Sequence, residues 1–241
     1  MILPYNAKYL HHQKTMTSAT MRELVFGMED GMVSTMGAIT GIAMGTMNHF
    51  TIVLSGFVIV AVESISMAVG SYLSSKSHQS IEDRKIAEEK DELKKYPEEE
   101  KEELFGLFVK DGWSKEIARK MTEEADGNHQ LMLREMTYRE LNVAPGEPER
   151  PLNNAFVMGL SYIVGGAIPL LPYLLISNIY TGLLVSITVT LLGLFILGSY
   201  ASRLTLRKWW KAGFEMLFLA SAAALVGYIV SQGVERWWLK V

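Results

Sequence analysis

Cysteine is absent from this 241-residue chain, and charge is almost absent from two long stretches of it. The lack of cysteine excludes a fold held together by disulfide bonds. Residues 24–75 carry only three charged side chains, and residues 151–202 carry none. Because about 20 consecutive apolar residues suffice for a helix to cross a bilayer, these stretches exclude a single water-soluble globule. A net charge of −3 also removes the usual electrostatic footprint of a nucleic-acid-binding protein.

The apolar stretches divide into membrane helices at polar turns. One turn is predicted at Asn48 and another near Ser177, and a fifth apolar run covers residues 212–234. We therefore expect an all-α polytopic membrane protein with five transmembrane helices and a cytosolic helical insert. The predicted segments are an N-terminal segment (1–23), transmembrane helices one and two (24–77), the insert (78–150) and transmembrane helices three to five (151–241).

The loops differ in their content of Lys and Arg, which sets the orientation of membrane proteins. The insert contains 13 of these residues and the turn after the fourth predicted span contains four, whereas the other two turns contain none. This asymmetry predicts that the N-terminus and the insert are cytosolic. The C-terminus is expected outside the cell or in a lumen, which places the protein in the cell membrane or a vacuolar membrane.

The insert concentrates the acidic residues of the chain, with 20 of the 26 Asp and Glu. No Gly or Pro interrupts residues 71–96, so the second membrane helix is expected to continue into the insert. Pro97, Ser114 and the pair Gly127-Asn128 then mark the boundaries of further helices.

Several acids of the insert recur at spacings of three or four, which place side chains on one face of a helix. Such faces are typical of solvated helices, and they also build the carboxylate cages of iron and manganese proteins. A thioether would add a softer ligand that suits Fe(II) better than Mg²⁺ or Ca²⁺. The candidate metal ligands are Glu89, Glu92, Glu100, Glu103, Met136 and Glu140.

Ionisable residues inside predicted spans indicate a transport pathway, because an acid at the centre of a membrane helix costs about 2.5–3.5 kcal/mol. Asp30 lies in the first span, and Glu63 and Met67 lie one turn apart in the second. These three residues are the candidate pathway for a divalent metal or for protons. The alternative reading makes Asp30 an interfacial helix start and Met67 an apolar packing residue.

Two other patterns concern helix packing. Gly37, Gly41 and Gly45 form a stripe of small residues that predicts a close helix contact. In the third span the sequence GGAIPLLP, residues 165–172, predicts a bend or a break in the helix.

Together these segments resemble the vacuolar iron transporter family. The resemblance rests on FGMEDGMVSTMGAITGIA in the first span, ESISMAVGSYLSSKS in the second, the acidic insert and GGAIPLLPYLL in the third, in this order. It implies a homodimeric secondary transporter, not an enzyme, that exports Fe(II) from the cytosol in exchange for protons. Mn(II), Co(II) and Zn(II) are further candidate substrates.

The resemblance also implies roles for individual residues. Asp30 and Met67 match the pore residues of the family, and the insert carboxylates and Met136 match its metal ligands. Two positions depart from plant members: Thr137 replaces a second Met, and Ile59 replaces a pore Glu, for which Glu63 is the nearest acid. The alternative function is a membrane-anchored carboxylate iron oxidase or storage protein without transport, although the Glu-x-x-His signature of di-iron bundles is not found.

Overall fold

The computed structural model describes residues 18–143, 150–204, 207–218 and 220–221, and all regular secondary structure in these ranges is helical. The helices are α1 (Ser18–Thr46), α2 (His49–Lys95), α3 (Pro97–Lys110), α4 (Lys115–Asp126), α5 (His129–Arg139), α6 (Pro151–Leu175) and α7 (Ile179–Ala201). A 3₁₀ helix (Ser202–Leu204) follows α7, and the helical residues 209–218 are called α8. The expected all-α class is confirmed for the described residues.

The chain divides into two compact units. The membrane unit comprises Met1–Tyr72 and Pro151–Val241, and the acidic unit comprises Leu73–Arg150. Helix α2 contributes residues to both units, as the absence of Gly and Pro between residues 71 and 96 predicts. The sequence also predicts an extended hinge at Pro145, Pro148 and Pro151. Pro145 and Pro148 lie outside the described residues, and Pro151 is the first residue of α6.

Among the described helices, α2, α6 and α7 are long and apolar enough to cross a membrane. Helix α1 covers the first predicted span but is less apolar, because Glu29, Asp30 and several Ser, Thr and Gly residues interrupt it. The fifth predicted span, residues 212–234, lies largely outside the described residues. Three spans are therefore supported by length and composition, and the total of five stays a prediction.

Helices α1 and α6 pack closely through glycines that differ from the predicted stripe. A methyl group added at Gly27 would lie 2.8 Å from the carbonyl oxygen of Met158, and one added at Gly165 would overlap the backbone of Met28. By contrast, nothing in the described chain lies within 4 Å of the corresponding positions at the predicted stripe of Gly37, Gly41 and Gly45. The stripe therefore takes no part in the contact between α1 and α6, because Gly27 and Gly31 lie on a different face of α1, and its role in helix packing stays a prediction.

The predicted break at the prolines of α6 is absent, since the helix continues through Pro169 and Pro172 to Leu175. Proline removes one helical N–H donor and normally disturbs a helix. Here a hydroxyl of α7 adds a bond to the affected turn, because Ser186 Oγ donates to the carbonyl oxygen of Pro169 over 2.7 Å. This bond also joins α6 to α7 inside the membrane unit.

The helix boundaries of the acidic unit follow the sequence signals. Pro97 is the first residue of α3, and Ser114 Oγ accepts a bond from the amide of Ile117 at the start of α4. The side chain of Asn128 accepts bonds from the first amides of α5. The apolar core of this unit consists of Leu93, Leu104, Phe108, Ala118, Ala125, Met132 and Met136.

Gly165→Ala should destabilise the membrane unit, because the added methyl group would overlap the backbone of Met28. Overpacking of this kind costs about 1–3 kcal/mol, so the purified full-length variant should melt several degrees below the wild type. Gly70→Ala is the matched control, since nothing lies within 4 Å of its added methyl group. Equal melting temperatures for the two variants would show that α1 and α6 are not closely packed.

Candidate functional site

Three glutamates of the acidic unit bring their carboxylates together. One ligand oxygen each from Glu89, Glu100 and Glu140 lies within 4.8 Å of the other two. Glu89 and Glu100 are almost fully buried, with 2% and 7% of their surfaces exposed, and Glu140 is exposed. The group therefore has two buried members and one that faces solvent. We call these three residues the carboxylate cluster.

Local chain geometry positions each member of the carboxylate cluster. Glu89 lies in the last two turns of α2, and a single non-helical residue, Tyr96, separates this helix from α3. This tight connection brings Glu100, in the first turn of α3, close to Glu89. Glu140 caps the C-terminus of α5, where its amide donates to the carbonyl oxygen of Met136 over 2.8 Å.

Burial and mutual repulsion make these carboxylates hard to ionise. Burial, together with the charges of Glu140 and Glu100, raises the pKa of Glu89 from 4.5 to about 8. Burial also raises the pKa of Glu100 and of Glu140, and in both cases the charge of Glu103 adds to the effect. Without a cation the cluster therefore retains protons near neutral pH.

The cluster has buried oxygens that no described group satisfies. Glu89 Oε1 and Glu100 Oε2 are buried and have no hydrogen-bond partner among the residues that the structure describes. An unsatisfied buried acceptor is costly, and a divalent cation would satisfy both. Oxygen ligands of this kind suit Fe(II), Mn(II) and other hard or borderline divalent ions.

The nearby basic residues are occupied by other acids. Lys101 Nζ lies 2.6 Å from Asp126 Oδ2, Arg119 Nη1 lies 2.5 Å from a carboxylate oxygen of Glu102, and Arg139 binds Asp111. Within the described ranges, no member of the carboxylate cluster forms an ion pair with Lys or Arg. The negative charge of the cluster is thus left for protons or a metal ion to balance.

The remaining predicted ligands are arranged differently. Glu92 and Glu103 are exposed and outside the three-oxygen group, but Glu92 raises the pKa of Glu89 electrostatically and Glu103 that of Glu100. Met136 is fully buried and packs in the apolar core of the acidic unit. The structure therefore brings together three of the six predicted ligands and keeps two more acids within electrostatic range.

In the membrane unit, two of the predicted pathway residues are acids from different helices. Asp30 of α1 is partly buried, and the charge of Glu63 of α2 acts on its carboxylate. Glu63 is exposed on the surface of the single chain, and Met67 of α2 is partly buried. The prediction that Asp30 and Glu63 act in one region is consistent with this electrostatic interaction, and their role in transport stays a prediction.

Sequence reasoning missed two polar residues that support Asp30. Ser34 Oγ donates to the carbonyl oxygen of Asp30 over 2.6 Å, and it lies 2.6 Å from the hydroxyl of Tyr162. Since the single Ser34 hydroxyl proton is used on Asp30, the Tyr162 hydroxyl donates to Ser34 Oγ. Tyr162 is fully buried on α6 and interacts electrostatically with Asp30 and Glu63. Two signals in the sequence could have identified these residues: a polar aromatic residue in an uncharged span, and a serine four residues after Asp30.

These features define a helical membrane protein with one group of acids in its membrane unit and another in its acidic unit. The VIT family model matches residues 21–232, and the chain belongs to this family. The resemblance inferred from the sequence motifs is confirmed.

Curated relatives extend over nearly the whole chain. The chain is 28% identical to vacuolar iron transporter 1 of Arabidopsis thaliana, over 94% of this chain and 91% of that protein. It is 27% identical to vacuolar iron transporter 1 of Tulipa gesneriana, over 93% of this chain and 92% of that protein. The vacuolar iron transporter of Plasmodium falciparum (isolate 3D7) is 26% identical, over 87% of this chain and 80% of that protein.

The raised pKa of Glu89 predicts that the metal-free protein loses stability as the pH rises. The folded state holds this proton with a pKa of about 8, against an ordinary value of 4.5. The stabilisation that this proton gives the folded state is therefore fully present below about pH 4.5 and is lost as the pH rises past about 8. The melting temperature of the full-length protein in chelator should fall over this window.

Glu89→Gln should flatten this fall, because its side chain is neutral at every pH. The matched control is Glu99→Gln, which removes an exposed acid of α3 and should keep the wild-type profile. A Glu89→Gln profile that follows the wild type throughout would contradict a raised pKa at this position.

Proposed function

We propose that this protein exports Fe(II) from the cytosol across a membrane in exchange for protons, with Mn(II), Co(II) and Zn(II) as further candidate substrates. The observation that carries the proposal is the carboxylate cluster, whose buried oxygens lack partners in the described chain. Membership of the VIT family and the names of the curated relatives support iron as the substrate. The protein is a secondary transporter in this proposal, not an enzyme.

In this proposal the carboxylate cluster collects the metal ion at the cytosolic side. Glu89, Glu100 and Glu140 supply the three oxygens that already converge. The exposed Glu92 and Glu103 add negative charge that attracts cations. Met136 supplies a thioether only if its side chain leaves the apolar core, which makes it the least accessible of the six candidate ligands.

Metal binding to the cluster is coupled to proton release. Glu89 is largely protonated near neutral pH because its pKa is about 8. A divalent cation favours the ionised carboxylates, so the ion replaces protons when it binds. Metal affinity should therefore increase as the pH rises toward 8.

The membrane pathway in this proposal consists of Asp30, Glu63 and Met67. The two acids offset the charge of a partly dehydrated cation, and the Met67 thioether favours the softer Fe(II) ion. The bond from Tyr162 to Ser34, and from Ser34 to the backbone of Asp30, holds this turn of α1 in place. Acids that carry either a proton or a share of the metal charge provide the exchange of protons for metal.

Location and assembly follow from the same reasoning. The distribution of Lys and Arg supports a cytosolic location for residues 78–150 and the N-terminus, with the C-terminus outside or in a lumen. The names of the relatives favour a vacuolar membrane over the cell membrane. We propose a homodimer, because none of the described residues covers the face of α1 that carries Gly37, Gly41 and Gly45, and such small residues let another helix approach closely.

Metal binding tests the cluster directly. Replacing Glu89 and Glu100 together by Gln should weaken Mn(II) binding to the purified full-length protein by roughly tenfold or more, because two of three converging oxygens lose their charge. The measurement is titration calorimetry in two buffers of different protonation enthalpy, which also counts the released protons. Replacing the exposed Glu98 and Glu99 by Gln removes the same charge and should leave affinity unchanged. Equal losses of Mn(II) affinity in both double variants would show that the effect arises from general negative charge and not from the carboxylate cluster.

Transport tests the membrane pathway. In proteoliposomes, Asp30→Asn should abolish Fe(II) flux, because a neutral amide does not offset the charge of a dehydrating cation. Glu63→Gln should keep downhill flux but lose accumulation driven by a pH gradient. Met67→Leu should slow Fe(II) more than Mn(II), since only the thioether distinguishes the two ions.

Two outcomes would contradict this pathway. Near-normal Fe(II) flux in the Asp30→Asn variant would show that Asp30 is not part of the transport pathway. Oxygen-dependent loss of Fe(II) without any flux in the wild type would instead favour the iron oxidase or storage protein.

A further inference from the structure

A cavity of about 840 Å³ lies at the C-terminal end of α7, where the chain turns through the 3₁₀ helix into α8. Basic and aromatic side chains line it, including Tyr200, Arg203, Arg207, Lys208, Trp209 and Trp210. Neither the candidate pathway nor the carboxylate cluster uses any of these residues. The volume suits a ligand much larger than an inorganic anion.

The wall of this cavity is firmly packed. The ring of Phe195 on α7 makes edge contacts with Trp209 and Phe214, with centroid distances of 6.2 and 5.3 Å. A methyl group added at Gly198 would lie 2.7 Å from the carbonyl oxygen of Ala212. Helices α7 and α8 therefore approach backbone to backbone, which gives the cavity a defined aromatic wall.

The cavity has an excess of positive charge. Four basic residues lie in residues 203–211, and no acid does. Arg207 pairs with Glu215 at 3.0 Å, and Lys211 lies 5.5 Å from the ring of Trp210. Neither Arg203 nor Lys208 forms an ion pair with any acid of the described chain. These two cations are thus available to a ligand.

The two free cations give the cavity its chemical character. Arg203 and Lys208 both line it. Arginine and lysine side chains are the groups that recognise phosphate oxygens.

The cavity lies where a membrane surface is expected. Helix α7 is apolar enough to span a bilayer and ends at Ala201, directly before the basic residues. Trp209 and Trp210 are 58% and 44% exposed, and tryptophan favours the interface between lipid and water. Ile196, which lines the cavity, and Phe214 of α8 also expose apolar side chains.

We infer that this cavity binds the phosphate-bearing headgroup of an anionic phospholipid. Arg203 and Lys208 bind the phosphate, and the aromatic wall contacts the glycerol and upper acyl chains. A free phosphate shares the charge chemistry but would leave the aromatic wall and most of the volume unused. Basic pockets between membrane helices are suited to such lipids.

The test compares lipid binding by full-length variants in neutral detergent. The probes are phosphatidylglycerol and phosphatidylcholine carrying bromine near the glycerol, and binding is read from quenching of tryptophan fluorescence. The wild type should bind phosphatidylglycerol more tightly, and Arg203→Gln with Lys208→Gln should lose roughly tenfold of that affinity. Removing two exposed cations elsewhere, by Lys110→Gln with Lys115→Gln, should leave the preference unchanged.

Three outcomes would overturn the inference. One is an unchanged lipid preference in the Arg203 and Lys208 double variant, and another is an equal loss in the Lys110 and Lys115 control. The third is displacement of the lipid by glycerol phosphate or inorganic phosphate at concentrations near the lipid affinity, which would identify a soluble anion as the ligand. If the double variant fails to fold, Lys208→Gln should reduce the preference and Lys208→Arg should retain it, and failure of that contrast would equally overturn the inference.

Discussion

The acidic unit depends on one constraint, which is that two buried carboxylates and an exposed one converge without a basic partner among the described residues. Nearby Lys and Arg side chains bind other acids, as the pairs of Lys101 with Asp126 and Arg119 with Glu102 illustrate. The cluster must therefore hold protons or a cation, and the pKa of about 8 for Glu89 is the consequence. This unbalanced charge is the basis for the proposal that the cluster exchanges protons for a metal ion.

In the membrane unit, the arrangement of the polar residues depends on close backbone packing and not on unbalanced charge. Gly27, Gly31 and Gly165 let α1 approach α6 so closely that side chains at these positions would overlap the opposite backbone. This approach places the Tyr162 hydroxyl of α6 against Ser34, and Ser34 against the backbone of Asp30. Glycines thus allow the helix contact that brings Tyr162 to the turn of α1 that carries Asp30.

The two ionic regions of the protein have opposite signs, although the net charge of the chain is only −3. Acids accumulate in the acidic unit, where they suit a cation, and bases accumulate after α7, where Arg203 and Lys208 suit an anion. The basic group coincides with the end of an apolar helix and with interfacial tryptophans, so its location matches the surface of a bilayer. Charge is thus segregated within the chain, with acids suited to a cation in one region and bases suited to an anion in the other.

The sequence alone determined the helical class, the continuity of α2, the helix starts at Pro97, Ser114 and Asn128, and six candidate ligands that include the three cluster acids. These features depend on local propensity, capping and spacing, which residues close together in the sequence determine. Only the tertiary structure decided which glycines pack, because the stripe at Gly37 and the contacts at Gly27 and Gly31 have the same spacing and differ only in what faces them. The tertiary structure also decided the burial of Met136, because its core is formed by helices that are distant in sequence. It likewise decided the hydrogen bond between Ser34 and Tyr162, which are 128 positions apart.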